Sequence, residues 1–292
     1  MQPMDCRSPH YLHDFLNLYP DQSDITWIAR SIIEKTGGPD EIESFFGPKL
    51  RQSLDEVIDM PRTGRYCLAQ TEKTEKTYVG TKVEIVLRHE LNLERGHKLD
   101  ARINGYEVDI KNTTGKNWMI PREAINEICL LTQTSEQNGT FSVGLLRCSE
   151  ETLSLGGNRD LKKSVSASGR RRILWLVKDG QMPENVFLHM NPATRERIFS
   201  AGGATRRLAE LFRTMTGTII HRYLVESVSQ QLDYMKRLRR NGGAQDILDE
   251  EGLEILWGGR KQDNEAAQLA GYRPLSRDEF ICLRKADIGL RP

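Results

Sequence analysis

The side chains with the clearest chemical potential are three carboxylates and a lysine in the first half of the chain: Glu84, Asp100, Asp109 and Lys111. Carboxylate oxygens are the protein ligands that Mg²⁺ takes, and the ion keeps several waters beside them. A bound divalent ion lowers the pKa of a water molecule and polarises a phosphate oxygen. A lysine at the same place can orient or deprotonate the attacking water, or stabilise charge on the phosphate. Together these residue types indicate phosphodiester hydrolysis, provided that the fold brings them to one site.

A tight turn is predicted to bring the two aspartates together. Asn104-Gly105 separates two runs of alternating residues, 98–103 and 106–112. Asn-Gly is the pair that a two-residue hairpin turn prefers, because both positions need a positive φ. The register of such a turn places Asp100 opposite Asp109. Opposed Cβ atoms lie about 4.5–5.5 Å apart, and like charges there destabilise a sheet, so a divalent ion between the carboxylates would explain the arrangement.

The two faces of the predicted hairpin differ in character, because side chains alternate along a strand. The core-facing set is Leu99, Ala101, Ile103, Tyr106, Val108 and Ile110, and the opposite set is Lys98, Asp100, Arg102, Glu107, Asp109 and Lys111. The alternative interpretation of the charged face is a solvated surface with ordinary ion pairs, such as Arg102 with Glu107. The opposition of Asp100 and Asp109 argues against it.

The third carboxylate belongs to a helix predicted just before the hairpin. From about Thr77 to Leu91 the apolar residues recur at helical spacing; they are Val79, Val83, Val86 and Leu87. Glu84 lies at the rim of this stripe, from which it is expected to reach the same cation. Its alternative interpretation is an exposed helix glutamate.

The surrounding patterns predict a mixed α/β (α+β) domain over residues 1–177, with a mixed sheet flanked by helices. Helices are expected at Ile25–Lys35, Asp40–Met60 and Pro121–Gln133, and strands at Phe141–Leu146 and Ile173–Val177. A polar segment with glycine and proline, residues 178–186, is predicted to be a linker. A mainly helical second domain follows over residues 187–292. Its helices are expected at Thr205–Met215, Ile219–Gln230 and Leu232–Arg240, and its short strands at Leu253–Trp257 and Phe280–Leu283.

Basic residues in the second domain indicate a DNA-binding helix. The stretch Ile219–Arg240 has helix-turn-helix character, and its last predicted helix carries Lys236, Arg237, Arg239 and Arg240. Cations are also favourable near any helix C-terminus, so a solvated helix end is the alternative. A second basic stretch, Arg159–Arg172, is predicted to be a mobile loop that follows phosphates, or alternatively a simple solvated loop.

The composition limits the other classes. The chain has 292 residues and a net charge of +1, so affinity for nucleic acid must come from local clusters. The five cysteines have no paired spacing, which argues against a disulfide framework or a zinc site and predicts reduced thiols. No apolar run approaches the roughly 20 residues of a membrane helix, and the N-terminus lacks the apolar core of a signal peptide. A cytoplasmic protein is therefore expected.

Longer stretches of the chain resemble the NaeI-type restriction endonucleases. The order Glu84, Asp100, Asp109-x-Lys111 resembles the short motif of the PD-(D/E)xK nuclease superfamily. The more specific stretches are Thr63–Tyr66, Lys73–Ile85, Trp118–Leu130, Gly156–Lys162 and Met235–Ala244. The resemblance runs from about residue 50 to the C-terminus and so covers both predicted domains.

The resemblance implies an N-terminal nuclease domain and a C-terminal DNA-binding domain with a winged-helix, CAP-like element. It also implies a homodimer that cuts double-stranded DNA at a palindromic site and binds a second DNA copy as an allosteric activator. Glu84, Asp100, Asp109 and Lys111 take the places of the family's catalytic residues, with Mg²⁺ at the three carboxylates. A cognate DNA methyltransferase is expected in the same restriction-modification system.

Type II restriction endonuclease is the leading hypothesis, and two other functions stay open. A repair-type nicking endonuclease would use the same four residues and leave single-strand breaks. A non-catalytic DNA-binding regulator would carry a decayed nuclease fold, and the presence of Asp100, Asp109 and Lys111 argues against it.

Overall fold

A computed structural model describes residues 23–157, 159–231 and 233–288 of the chain. These residues form two compact units. The first unit comprises residues 23–58 and 67–185, and the second comprises 59–66 and 186–288. The chain therefore crosses between the units three times, after residues 58, 66 and 185. In the described part of the chain, no helix combines the length and apolarity needed to span a membrane.

The first unit combines helices with two sheets. Its part of the chain begins with helices α1 (Asp24–Lys35) and α2 (Ile42–Ile58), and continues after α3 (Met60–Thr63, in the second unit) with α4 (Lys73–Glu90). The strands are β1 (Glu94–Arg95), β2 (Ala101–Ile103), β3 (Tyr106–Thr113), β4 (Met119–Ile120), β5 (Ile128–Ser135), β6 (Thr140–Arg147), β7 (Leu153–Gly157), β8 (Lys163–Val165) and β9 (Leu174–Gln181). A short helix α5 (Ala167–Arg171) lies between β8 and β9.

The larger sheet has the strand order β1-β2-β3-β5-β6-β9, and the smaller one has the order β4-β8-β7. In the larger sheet β3 and β5 are parallel and the other neighbours are antiparallel, so the predicted mixed sheet is confirmed. Helix α4 packs against α2 and β3. An apolar cluster joins Trp118 and Val165 of the smaller-sheet region to Cys129 and Leu131 of β5. Strand β5 is thus buried on both faces.

The predicted hairpin and the preceding helix are confirmed. The turn pairs Ile103 with Tyr106, and Asn104 and Gly105 have φ values of 51° and 84°. Helix α4 buries the four predicted apolar residues on one side. Helices α1 and α2 and strands β6 and β9 also lie where the sequence patterns predict them.

The helix predicted over Pro121–Gln133 is wrong. Only Arg122–Ala124 forms a single 3₁₀ turn, and Ile128–Ser135 is strand β5 between β3 and β6. A continuous apolar run fits a strand buried on both faces as well as a helix, because neither structure then shows its periodicity.

The first half of the predicted linker, residues 178–186, belongs instead to strand β9. Thr140 pairs with Gln181, and Phe141 pairs with Gly180. A Cβ at Gly180 would lie 2.5 Å from a methyl group of Val177, so glycine allows the irregular end of the strand to pack closely.

The second unit contains a three-stranded antiparallel sheet among helices. Its helices are α6 (Val186–His189), α7 (Pro192–Ser200), α8 (Ala204–Thr214), α9 (Arg222–Ser229), α10 (Met235–Leu238), α11 (Ala244–Glu250) and α12 (Lys261–Leu269). The strands are β10 (Ile219–His221), β11 (Leu253–Trp257) and β12 (Glu279–Arg284), in the order β10-β12-β11. Helix α8 and the last two strands match their predictions. Helix α3 packs against α9, and the Arg195 guanidinium lies 4.1 Å from the centroid of the Tyr66 ring.

The helices predicted over Ile219–Gln230 and Leu232–Arg240 need correction. The first begins as strand β10, since Ile219 and Ile220 pair with β12. The second is reduced to the single turn α10, and Leu232 lies outside the described residues. Gly242 has a φ of 101°, and a Cβ at Gly243 would lie 2.0 Å from the Arg239 carbonyl oxygen. A close turn therefore ends the helix where the sequence pattern alone would continue it.

Candidate active site

The β2–β3 hairpin places the two predicted aspartates beside each other. Asp100 lies at the end of a bend, directly before β2, and Asp109 lies in the middle of β3. The Asp100 Oδ2 atom accepts a hydrogen bond of 2.8 Å from the Ile110 backbone N–H. Asp100 is thereby fixed to the strand that carries Asp109.

Lys111 bridges the two carboxylates. Its Nζ atom lies 2.9 Å from Asp109 Oδ1 and 3.2 Å from Asp100 Oδ2, and it also donates to the Ile110 carbonyl oxygen at 3.2 Å. The predicted grouping of Asp100, Asp109 and Lys111 therefore exists in the structure. Asp109 is only 3% exposed, so the face that carries these three residues is not simply a solvated surface.

Burial and charge shift the protonation of this group. Burial is the main cause that raises the pKa of Asp109 to about 7; Lys111 opposes the shift and the charge of Asp100 adds to it. Burial alone would lower the pKa of Lys111, but Asp109 and Asp100 outweigh it and raise that pKa. Lys111 is therefore a cation and a hydrogen-bond donor in this arrangement.

Glu107 positions the bend that leads to Asp100. Its carboxylate accepts backbone N–H bonds from His97, Lys98 and Leu99 at 2.9, 3.1 and 2.9 Å. These bonds, with burial opposing, lower the pKa of Glu107. The alternative interpretation predicted an ion pair between Glu107 and Arg102. In the structure Glu107 instead accepts the backbone hydrogen bonds of the bend.

Two details of the predicted faces also differ. Leu99 packs in the cluster of Trp118 and Cys129 instead of beside Ala101, because the bend ends the strand alternation. Tyr106, at the turn, is 40% exposed.

Glu84 lies near this group but is not joined to it. Its Oε1 atom accepts a bond of 3.2 Å from Arg88, one helical turn further along α4. Burial raises the pKa of Glu84, and the negative charge of Asp100 raises it further, while Arg88 opposes the shift. Within the described residues, His, Cys, Asp and Glu side chains form no group of three or more arranged to hold a metal ion. The structure thus brings two of the three predicted ligands together, with Glu84 alongside.

Cysteine residues underlie the site, and the sequence reasoning missed this. Cys129 Sγ lies 3.9 Å from Asp109 Oδ2, and Cys148 Sγ lies 3.2 Å from Cys129 Sγ. The position of Cys129 beside Asp109 could not be predicted, because its strand was predicted to be a helix. The cysteines Cys67, Cys129, Cys148 and Cys282 are buried free thiols, as predicted, and Cys6 lies outside the described residues.

The predicted DNA-contacting residues of the second unit differ in their bonding. Arg240 pairs with Asp249 and Glu254. Lys236 pairs with Asp233. Arg237 donates to Gln231 at 2.8 Å, and it is exposed like Arg239. Among these four residues, Lys236 and Arg240 thus form ion pairs with carboxylates. Arg237 and Arg239 are the two whose charges are less engaged in such pairs.

The basic stretch Arg159–Arg172, predicted to be a mobile loop, is largely regular structure. It contains β8 and α5. Arg170 donates to the Lys116 carbonyl oxygen, and its guanidinium lies 5.5 Å from the Trp118 ring centroid. Arg172 pairs with Glu151.

Comparison with known proteins places this site in a family. The family model described as restriction endonuclease NaeI matches residues 34–289, which includes the hairpin and most of both units. The type II restriction enzyme NaeI of Lentzea aerocolonigenes is 40% identical over 243 residues, covering 80% of this chain and 76% of that enzyme. The chain therefore belongs to the restriction endonuclease NaeI family.

Proposed function

We propose that the chain is a type II restriction endonuclease that hydrolyses phosphodiester bonds of double-stranded DNA at a specific palindromic site. The observation that carries the proposal is the bonded group of Asp100, Asp109 and Lys111 in a member of a restriction endonuclease family. The four residues predicted from the sequence, Glu84 included, are the proposed catalytic set.

Asp100 and Asp109 are the residues that would hold a Mg²⁺ ion, with Glu84 as a third carboxylate nearby. The two carboxylates share a single cation, Lys111, and Asp109 is only 3% exposed, so a divalent ion would balance the remaining negative charge. Magnesium commonly binds one or two protein carboxylates and completes its shell with water and phosphate oxygens, so the donor set fits. When bound, the ion supplies an acidified water and a polarised phosphate.

The protein's own groups perform the remaining steps. The Lys111 ammonium, held by both carboxylates, donates to the attacking water or to a phosphate oxygen on which negative charge develops. The Ile110 N–H keeps Asp100 in position. Glu107 fixes the bend before it. Such pre-organisation reduces the rearrangement needed when the substrate binds.

The two units suit two roles. We assign the first unit as a nuclease domain of the PD-(D/E)xK type, because its mixed sheet carries the site on β3 and the preceding bend. We assign the second unit as a winged-helix DNA-binding domain. From helix α8 its chain order is α8, β10, α9, α10, α11, β11, α12 and β12, and its sheet order is β10-β12-β11.

A palindromic site implies a two-fold symmetric enzyme, so a homodimer is proposed. The second unit would bind the effector copy of the DNA, and a methyltransferase would protect the host's own sites.

The decisive experiment incubates the purified chain with Mg²⁺ and methylation-free plasmid, with and without added duplex, and sequences the fragment ends. Discrete double-strand breaks that disappear in the Asp109→Ala variant are expected. Single-strand breaks alone would favour a nicking repair enzyme. DNA binding without cleavage, unaffected by Asp109→Ala, would favour a regulator.

A further inference from the structure

The hairpin of β7 and β8 carries two leucines that the first unit does not bury. Leu155 is 99% exposed and Leu161 is 54% exposed. Leu153, two residues before Leu155, is buried in the cluster around Trp118. The hairpin therefore leaves the core just after Leu153. A single exposed leucine is ordinary at a protein surface, but this hairpin carries two, one on β7 and one in the segment between β7 and β8.

Turn geometry does not explain Leu161. Its φ is 59°, in the left-handed region where glycine and asparagine are accommodated more easily than leucine. Across the turn, a Cβ at Gly157 would lie 3.1–3.2 Å from the Leu161 backbone, so the two chain segments pass closely. Neither burial nor backbone shape therefore favours leucine at position 161.

The charge around the leucines identifies the kind of partner. Arg159, Lys162 and Lys163 lie within four residues of one another, against the single acidic Asp160. Arg159 and Lys162 are exposed. An excess of cations beside exposed leucines fits duplex DNA, which presents anionic phosphates and, among polar base edges, the apolar methyl groups of thymine.

The base of the hairpin is built into the same face as the catalytic group. Leu153 and Val165 pack with Cys129 and Leu131 of β5. Those two residues are the parallel-strand partners of Asp109 and Lys111. Between Leu153 and Gly157 the pairing with β8 is irregular, because only Leu153–Val165 and Gly157–Lys163 are register partners. Leu155 thus lies in a bulge, a feature that redirects side chains and is common next to active sites.

We propose that this hairpin enters the major groove of the duplex being cut, with Leu155 and Leu161 against base edges and Arg159 and Lys162 toward phosphates. The inference rests on the proposed DNA cleavage and adds a specificity element to the first unit. A two-stranded β-ribbon fits the major groove, where apolar side chains contact the methyl and C–H edges of pyrimidines.

The test compares wild type with Leu155→Ser, Leu161→Asn and the double variant. Leu269→Ser, at a leucine 58% exposed on α12 of the second unit, is the matched control. The double variant should keep the wild-type Tm. Its kcat/KM should fall about tenfold at the site the wild type cuts, and the ratio of cleavage there to cleavage at sites one base pair different should also fall about tenfold. The control should behave like wild type.

Wild-type activity and wild-type discrimination in the double variant would overturn the inference while leaving the proposed function intact. Conversion of a wild-type dimer to a monomer by the double variant, in sedimentation at equal concentration, would assign the leucines to a contact between copies and also overturn it. Absence of any cleavage by the wild-type protein in the same assay would overturn the proposed function and this inference with it.

Discussion

The charged hairpin of the first unit and the basic segment 235–240 of the second unit use charge in opposite ways. In the hairpin, Lys111 and two aspartates bond to one another in a largely buried setting. In the basic segment, Arg237 and Arg239 are exposed. Buried charges affect both folding and chemistry, whereas exposed charges act mainly on a partner and are screened by salt. Substitutions in the two regions should therefore separate into two classes.

Asp109→Asn should have the largest effect. Cleavage is expected to fall at least about a thousandfold, since a proposed metal ligand is lost. Without metal at pH 8 the variant should be more stable than wild type, by on the order of 1 kcal/mol. The folded-state pKa of Asp109 is raised from 3.8 to about 7, so wild type loses stability as pH rises through that range and the variant does not. A lower Tm of the variant at pH 8 without metal would contradict this.

Lys111→Met should reduce cleavage roughly a hundredfold to a thousandfold. Metal-free stability should fall by about 1–3 kcal/mol, because two carboxylates then face each other without a cation. Calcium should raise the Tm of the variant more than that of wild type. Lys98→Met, which removes the exposed pair with Glu127, is the matched control and should change neither property measurably. Equal stabilisation of all three proteins by calcium would disprove the account.

Arg237→Ala and Arg239→Ala should each weaken duplex binding about tenfold, measured in calcium to prevent cleavage. The slope of log Kd against log salt should decrease by about 1 for each lost phosphate contact. Arg240→Ala is the comparison within the same segment, because Arg240 already pairs with Asp249 and Glu254. An unchanged slope in the first two variants would remove them from the DNA interface.

The smallest effect is expected at Asp55, a carboxylate of the first unit outside the proposed catalytic group. Burial raises its pKa from 3.8 to about 6, and Arg51 opposes the shift. The folded state therefore binds extra protons between these values, so this group makes wild type less stable as pH rises from about 4 to 6.5. Asp55→Asn should remove this pH dependence of stability, which amounts to on the order of 1 kcal/mol across the range. Cleavage should be unchanged. Parallel unfolding profiles of the two proteins across this range would contradict the assignment.

The same two regions explain what could be predicted from the sequence. The register of the hairpin followed from two turn residues, because a two-residue turn leaves one way to pair its strands. The proximity of Asp100 and Asp109 could therefore be predicted from the sequence. The role of Glu107 was not, because its backbone partners lie in a bend that strand alternation does not describe.

The helical pattern over residues 232–240 was less reliable, since one amphipathic turn is compatible with several tertiary environments. The glycines at 242 and 243 allow the chain to fold back on Arg239, and the periodicity of apolar residues carries no signal for that. The prediction for strand β5 was wrong for a related reason, because burial on both faces removes the alternation from which a strand is recognised.

The path of the chain between the units limits how the molecule can be dissected. Residues 59–66 lie in the second unit, although the sequence on both sides of them builds the first. Glu136 accepts hydrogen bonds from the Leu68 N–H and the Asn185 side chain, next to two of the three crossings. A protein truncated after residue 185 would therefore keep residues 59–66 without the rest of their unit. A fragment starting at residue 186 would lack helix α3. The first unit can be excised only if residue 58 is joined directly to residue 67, and an intact second unit needs residues 59–66 attached to it separately.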